Sequence, residues 1–314
     1  MLRLKKNFPL SKLTTLNLGG PAKYFYFAKT QKSLIEAIKW AEKEQLKYLV
    51  IGGGSNLLIS DEGFDGLIIK NTEIGITQNS NIITVKAGTT LQTLVDFTIG
   101  KGLSGINKMA GIPGTVGGAV YGNAGAFGQT ISDCVKAVTC LDPSSQNSVR
   151  SYTILSKKEC GFAYRDSIFK RNKHIILEVE FSLPSADKTI LKQESKEVLE
   201  KRLKKYPPDM LCPGSFFKNI VAEQLPKGLK KRLASEITYG KISAGRLIEL
   251  VGGKGDKLGK ITIAQNHGNT FINLGGGTAA DFYSLAQKYY RKVKKEFRIT
   301  LEPEVQLIAL PPLH

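Results

Sequence analysis

Apolar residues alternate and recur along this chain in short blocks that switch period several times. Tyr24–Ala28, reading YFYFA, has the β-rich content of a strand; Lys32 to Gln45 then places Leu34, Ile35, Ile38, Ala41 and Glu42 at helical spacing, and Tyr48–Ile51 returns as a short buried strand. Strand, helix, strand in this order predicts an α/β unit. Leu57 to Ser60 reads as a further strand, Ile82–Lys86 as another, and Thr90 to Ile99 as a helix terminated by Gly100 and Gly102. Val135–Leu141, Ser151 to Leu155 and Ile175 to Leu183 are strand-like, with Pro184 and Ser185 marking an exit and a boundary expected across Pro184 to Thr189. Lys192 to Lys205 is a charged helix with Val198, Leu199 and Leu203 as its stripe, stopped by Pro207 and Pro208. Beyond it, Ser243 to Val251 is helical and Ile261–Ile263 extended. Thr278 with Asp281 opens a helix through Phe297 in which Leu285, Tyr289 and Val293 share a face, and Ile299 to Ile308 is a last strand expected to cross back to the N-terminal domain.

The pattern is interrupted most heavily from Gly111 to Gly128, GIPGTVGGAVYGNAGAFG. Each glycine costs roughly 0.5–1 kcal/mol of backbone entropy relative to alanine. Gly114, Gly117, Gly118, Gly122, Gly125 and Gly128 clear side chains from one strip of backbone, which fits an anion cradle of bare amides or a tightly packed turn without ligand. Pro113 sets a turn at its entry. Upstream, Gly52, Gly53, Gly54, Ser55 and Asn56 form a second small-residue turn at a strand terminus, where nucleotides commonly lie. A G-x-G-x-x-G dinucleotide fingerprint is not completed there, because LLIS follows in place of the third glycine and a helix.

Composition narrows the choice. A length of 314 residues predicts two or three domains, and no run approaches the ~20 apolar residues of a membrane span. The basic N-terminus, MLRLKKNFPLSKL, breaks its apolar character too often for a signal-peptide core, so a cytoplasmic protein is expected. Cys134, Cys140, Cys160 and Cys212 show no CxxC pairing and read as free thiols. The net charge of +18 is spread along the chain without a nucleic-acid-binding signature, which favours a solvated lysine-rich surface over a nucleic-acid interface. Three histidines without metal-ligand spacing predict no metal site, and neither a GxSxG elbow nor a P-loop occurs.

GGGSNLL, the glycine strip, YRDS, GSFFKN and LEPEV, in this order from Leu16 to Ile308, resemble the UDP-N-acetylenolpyruvoylglucosamine reductases. The resemblance implies an α/β and α+β protein: a two-subdomain FAD-binding fold of the vanillyl-alcohol-oxidase-like type plus a C-terminal substrate-binding α+β domain. Residues 1–76 with 299–314 would form the first FAD subdomain, 77–188 the second, and 189–298 the substrate domain. FAD is the implied cofactor, bound non-covalently by Gly52, Gly53, Gly54, Ser55, Asn56, Gly111, Ile112, Gly114, Thr115, Gly118, Asn123, Ala124 and Gly125; NADPH is the implied co-substrate. Arg165, otherwise a surface or salt-bridged arginine, matches the family's catalytic arginine, whose planar fork can hold a carboxylate. Ser215 matches its proton donor. Glu304 matches its catalytic glutamate, and alternation puts Glu302 and Glu304 on one strand face whose burial would raise the carboxyl pKa. Tyr164, Arg202, Lys205, Lys218 and Asn219 are the expected contacts of the UDP-sugar enolpyruvate.

The chain is similar to the shorter subtype, which lacks an extra substrate-covering loop. It departs from the family pattern at Gln306, Pro213 and Ile220, where arginine, alanine and proline are usual. The expected partners are small molecules, with neither membrane nor nucleic acid, and the expected state is a monomer. Two rivals stay open on sequence: a flavin oxidase of the same fold, and a basic nucleic-acid-binding protein without cofactor.

Overall fold

The computed structural model describes residues 2–142 and 152–314. The chain divides into two compact units, one of Met1–Lys6, Tyr24–Gly53 and Asp65–Pro208, the other of Asn7–Lys23, Gly54–Phe64 and Asp209–His314.

The strands Lys5–Pro9, Pro21–Ala28, Phe64–Asn71 and Tyr48–Ile51 line up in that order as one sheet, the last two parallel. Helix Gln31–Lys43 packs its apolar stripe, Leu34, Ala37, Ile38 and Ala41, with Leu67 and Ile69; its entry is fixed by reciprocal hydrogen bonds of Thr30 and Ser33. Glu42, at the edge of the expected stripe, is exposed. A five-stranded antiparallel sheet follows in the order Tyr152–Ser156, Val135–Leu141, Ile175–Ser182, Ile82–Lys86, Ile76–Asn79. Ser151, the expected first residue of its edge strand, lies outside the described residues. Helix Leu91–Lys101 is capped by Thr90, and its stop is Gly102 alone, left-handed at φ 70°; Gly100 is helix interior, contrary to its expected role as a terminator.

Helix Lys188–Lys205 starts four residues earlier than its pattern predicts, because the Asp187 carboxylate accepts from the N–H groups of Thr189 and Ile190. It buries Leu191 and Val198, while Leu203, expected in the stripe, is 42% exposed. Glu194 on this helix accepts from the Asn107 amide at 2.7 Å and pairs with Lys108 at 3.0 Å. The helix therefore belongs with the first unit, and the passage to the second falls at Pro208 rather than across Pro184 to Thr189.

The second unit buries an aromatic cluster of Phe216, Phe217, Phe271 and Phe282, with Phe216 4.7 Å from Phe217 and 5.2 Å from Phe282 between ring centroids. Helix Ala279–Phe297 covers it with Phe282, Leu285, Tyr289 and Val293. Of the expected last strand, Gln306–Ile308 forms a strand, parallel to Leu57–Ile59, and Pro303 makes an isolated bridge to Phe217. Both partners belong to this second unit.

Asp61, four residues past Leu57, takes up two orphan donors at the start of helix Ala279–Phe297, accepting from Ala279 N at 2.8 Å and Ala280 N at 2.9 Å, while Thr278 accepts from Asp281 N. Asp61→Ala is expected to lower stability by about 1–2 kcal/mol, the usual cost of losing a cap. Urea unfolding followed through the second unit's helix signal checks it; an unchanged midpoint would show that water replaces the carboxylate.

Candidate active site

The glycine strip is more ordered than its composition predicts. Val116–Tyr121 is a short helix whose N-cap Thr115 accepts from Gly118 N. Gly117 N donates to Ala87 O at 2.9 Å and Gly122 N to Gly118 O at 3.1 Å, so these amides, expected to be bare, are engaged. The donors left over lie at the strip's entrance: among the described residues, nothing accepts from the N–H groups of Gly53, Gly114 or Thr115.

Those three belong together. A Cβ built on Gly53 would stand 2.7 Å from Gly114 Cα, and one on Gly52 would collide with the Thr115 hydroxyl. Gly114 has φ 123°, a conformation that excludes ordinary side chains. Two backbones thus touch without side chains between them and present N–H donors from both sides, the arrangement that accepts a phosphate. This cradle fits the diphosphate of FAD. Gly118, three residues past Thr115, is exposed and a Cβ there would meet only Thr115 Oγ1, at 3.5 Å. Gly111 is closed on one side instead, since Leu199 and Arg202 side-chain carbons would lie 2.8 Å from its Cβ; Ile112 and Ala124 are half-buried members of the same core.

Arg165 is drawn onto this strip. Its backbone is left-handed at φ 54°, and its guanidinium donates to Asn123 O at 3.3 Å and Gly125 O at 2.6 Å, while Lys170 Nζ donates to Arg165 O. Asn123, also left-handed, is clamped by Ala163 O and Ser132 N, which fixes the carbonyl that Arg165 uses. Tyr164 lies with its ring 5.4 Å from the Arg165 guanidinium carbon.

Arg202 approaches from helix Lys188–Lys205, donating from Nε to Ala110 O at 3.1 Å with its guanidinium over the Phe127 ring. Burial pulls the Arg202 pKa below its ordinary value; the Arg165 charge adds to the pull and Tyr206 opposes it. Two guanidinium groups near enough to perturb each other make a field that favours an anion. Lys205 stands over the Tyr206 ring at 5.1 Å.

In the second unit, Ser215 lies on an extended segment with a neighbour on each side. Thr270 faces Ser215 in an antiparallel bridge, with Phe216 N donating to Asn269 O at 2.9 Å. On the other edge Phe217 pairs with Pro303, and Glu304 N donates to Phe216 O at 2.8 Å. The backbone thereby brings Ser215 and Glu304 onto adjacent lanes although their numbers differ by 89. Asn56 joins the same lanes: its side chain donates to Glu304 O at 2.9 Å and its carbonyl accepts from Gln306 N.

Glu302 and Glu304 do not share a strand face, because residues 302–304 are irregular under Pro303. Glu302 is exposed and ion-paired with Lys218; Glu304 is half-buried. Gly54 packs against the Leu13 carbonyl, and Ser55 O accepts from Thr15 Oγ1. Asn219 Oδ1 accepts from Ala244 N, a bond that fastens the entry of helix Ala244–Leu250.

The comparisons with known proteins decide the family. The FAD binding domain family matches residues 22–146, and the C-terminal domain of UDP-N-acetylenolpyruvoylglucosamine reductase matches residues 207–308. The chain is 38% identical over 310 residues to the UDP-N-acetylenolpyruvoylglucosamine reductase of Solibacter usitatus, covering 98% of this chain and 97% of that protein. It belongs to the UDP-N-acetylenolpyruvoylglucosamine reductase family. The reductase of Carboxydothermus hydrogenoformans is 35% identical over 307 residues, covering 97% and 93% of the two chains. The crystal structure of the Thermus caldophilus reductase superposes with a TM-score of 0.77 at 31% identity, covering 98% of this chain and 100% of that one.

Within this reductase family frame, Asn269 and Thr270 are the residues that sequence reasoning passed over. Asn269 is fully buried and holds Phe217 by both backbone groups. In sequence it is one of several polar residues in the run Gln265 to Thr270, and nothing there sets it apart from its neighbours. Lys218 is tied to Glu302, so Glu302→Gln is expected to free its charge for an anionic ligand and to steepen the salt dependence of UDP-sugar affinity. Lys205→Ala should flatten it. Affinity titrations at low and physiological ionic strength check both; parallel slopes for the two variants and the parent would remove these lysines from the binding field.

Proposed function

We propose that the chain reduces the enolpyruvyl ether of UDP-N-acetylglucosamine to the lactyl ether of UDP-N-acetylmuramate, an FAD-dependent, NADPH-consuming step of peptidoglycan precursor synthesis. Family membership over the whole chain supports the reaction, and the pairing of the Ser215 segment with residues 302–305 is the observation that carries the assignment of roles. When bound, FAD would supply the hydride chemistry, relaying the hydride of NADPH to the terminal vinyl carbon of the substrate. Ser215 gives its hydroxyl proton to the neighbouring carbon, which becomes basic as the hydride arrives, and regains one from solvent. Arg165, held at the carbonyls of Asn123 and Gly125, is the fork for the substrate carboxylate; Glu304 hydrogen-bonds the enolic oxygens as charge develops there.

Gly53, Gly114 and Thr115 would hold the FAD diphosphate, with Gly52, Gly118, Asn123 and Gly125 along the same strip and Gly54, Ser55 and Asn56 continuing it. Tyr164, Arg202, Lys205, Lys218 and Asn219 are assigned to the nucleotide sugar. The partners we assign are small molecules, the state monomeric and the compartment cytoplasmic; among the described residues no helix is long and apolar enough to cross a membrane.

The test is a visible spectrum followed by turnover. The purified protein should show bound oxidised flavin and consume NADPH only when the enolpyruvyl nucleotide is added. A protein that stays colourless after addition of FAD would defeat this reading and the flavin oxidase together; flavin that oxygen reoxidises quickly while the enolpyruvyl nucleotide does not would favour the oxidase.

A further inference from the structure

The chain's only histidine in a polar turn, His267, stands beside the Ser215 segment, and none of the roles above uses it. Asn269 N donates to His267 Nδ1 at 3.3 Å, which places the lone pair on Nδ1 and the proton of the neutral ring on Nε2. The Thr270 hydroxyl lies 3.2 Å from the same nitrogen. Thr270 N donates to His267 O, and Ala264 N to Thr270 O, which closes the turn.

The two residues bonded to this imidazole are the two that position the serine. Asn269, 0% exposed, accepts from Phe217 N at 2.8 Å and donates to Phe217 O at 2.7 Å, while its own carbonyl accepts from Phe216 N. Thr270, 1% exposed, is the bridge partner of Ser215. Helix Ala244–Leu250 closes the other side at Gly245, where a Cβ would lie 3.3 Å from His267 Cε1 and 3.2 Å from Asn269 N. Charged groups near the ring include Glu249 on that helix, which accepts from Gly268 N at 3.1 Å, and Lys254, 3.2 Å from Glu249. Burial opposes ionisation of Glu249, but the Gly268 amide and Lys254 hold its carboxyl below the usual range.

We infer that His267 is a positioning residue for Ser215, setting the aim of the serine through a neutral imidazole that accepts from Asn269 and Thr270. This rests on the proton-donor role proposed for Ser215. A proton on Nδ1 replaces the lone pair that Asn269 N–H needs, so two N–H groups confront each other and the turn that grips Phe217 loosens. Proton delivery then weakens on the acid side, whereas hydride transfer from NADPH is untouched.

The experiment follows the flavin-loaded full chain from about pH 5.5 to about pH 8.5, the span in which an imidazole ordinarily titrates. NMR of His267 Cε1–H, amide exchange at Phe216 and Phe217, and the two half-reactions by flavin absorbance are read in parallel. Exchange at both phenylalanines should rise, and reoxidation by the enolpyruvyl substrate fall, along the same curve as the His267 signal. His267→Gln, which keeps an acceptor that does not titrate, should lose this acid limb. His267→Leu should slow reoxidation by substrate about 10-fold or more at neutral pH, as misplacement of a reacting group does, with bleaching by NADPH at the parent rate. Exchange that ignores the His267 titration, or parent-rate reoxidation in His267→Leu, overturns the inference. A parent flavoprotein that the substrate never reoxidises would instead count against the functional reading, and the exchange data alone would still decide whether His267 holds the serine's lane.

Discussion

In Ser215→Ala, bleaching of the flavin by NADPH is expected near the parent rate while reoxidation by the enolpyruvyl substrate falls by at least ~10²–10⁴, the range for loss of a positioned general acid. The two half-reactions separate because a hydroxyl that protonates a carbon of the sugar ether has no part in hydride transfer between cofactors. The substitution itself should be mild for the fold: Ser215 is half-buried, and its lane is set by backbone bonds of Phe216 and Phe217 to Asn269 and Glu304. Ser215→Cys should restore part of the rate, since a thiol is the stronger acid in nearly the same place. Equal slowing of both half-reactions would mean that Ser215 shapes the flavin pocket. No slowing in either would pass the proton to water or Glu304.

Gly118→Val is expected to lose FAD and keep its fold. Valine is no worse than glycine in a helix, Gly118 is not among the positive-φ glycines, and the nearest protein atom to a new Cβ is Thr115 Oγ1 at 3.5 Å. The side chain therefore meets little of the protein itself, and a fall in FAD affinity of at least about 10-fold, near 1.4 kcal/mol, would report on the ligand. Gly53→Val is the contrast: its Cβ would press on Gly114 Cα at 2.7 Å, so apo stability and FAD binding should fall together. Thermal melts of the apo proteins and fluorescence titrations with FAD separate the two. Full FAD occupancy with parent affinity in Gly118→Val would exclude Gly118 from the cradle.

Local chemistry was the legible part of the fold. Tyr48–Ile51, Ile82–Lys86, Val135–Leu141 and Ile261–Ile263 are strands where period and β-branched content place them, and Thr90 and Gly102 mark both ends of their helix. The four cysteines, expected free, are free and buried. Burial lifts Cys134 and Cys160 to about 11 and Cys140 to about 12, which keeps these thiols protonated and inert.

What was not legible depends on partners distant in sequence. Helix Val116–Tyr121 is built on glycines, the weakest helix formers after proline, and forms because Thr115 caps it and Ala87 and Thr89 take its first amides. Leu203 has the spacing of a core residue, yet the helix turns its Leu191 and Val198 inward instead. Segments 7–23 and 54–64 join the C-terminal residues through Asp61, Leu16 and Leu58, contacts that no local pattern encodes. At the site, motif resemblance singled out Ser215 and Glu304, but the alternation argument for Glu302 and Glu304 failed at Pro303. Asn269, which carries the serine's lane, is hidden in the polar run Gln265 to Thr270, where its burial has no local signal.

The central claim is that hydride and proton are added across the enolpyruvyl double bond by this flavoprotein. It is tested most directly by a single anaerobic turnover in deuterated water: holoenzyme is reduced with NADPH, mixed with the enolpyruvyl nucleotide sugar, and the product is weighed and mapped by NMR. The account predicts full return of oxidised-flavin absorbance and a lactyl ether with one solvent deuterium on the carbon bearing the ether oxygen and one added hydrogen on the methyl carbon, which is deuterium too wherever the exchangeable N–H of the reduced flavin has equilibrated with the solvent. Flavin that stays bleached until oxygen is admitted, or a product with solvent deuterium only on the methyl carbon, would contradict it.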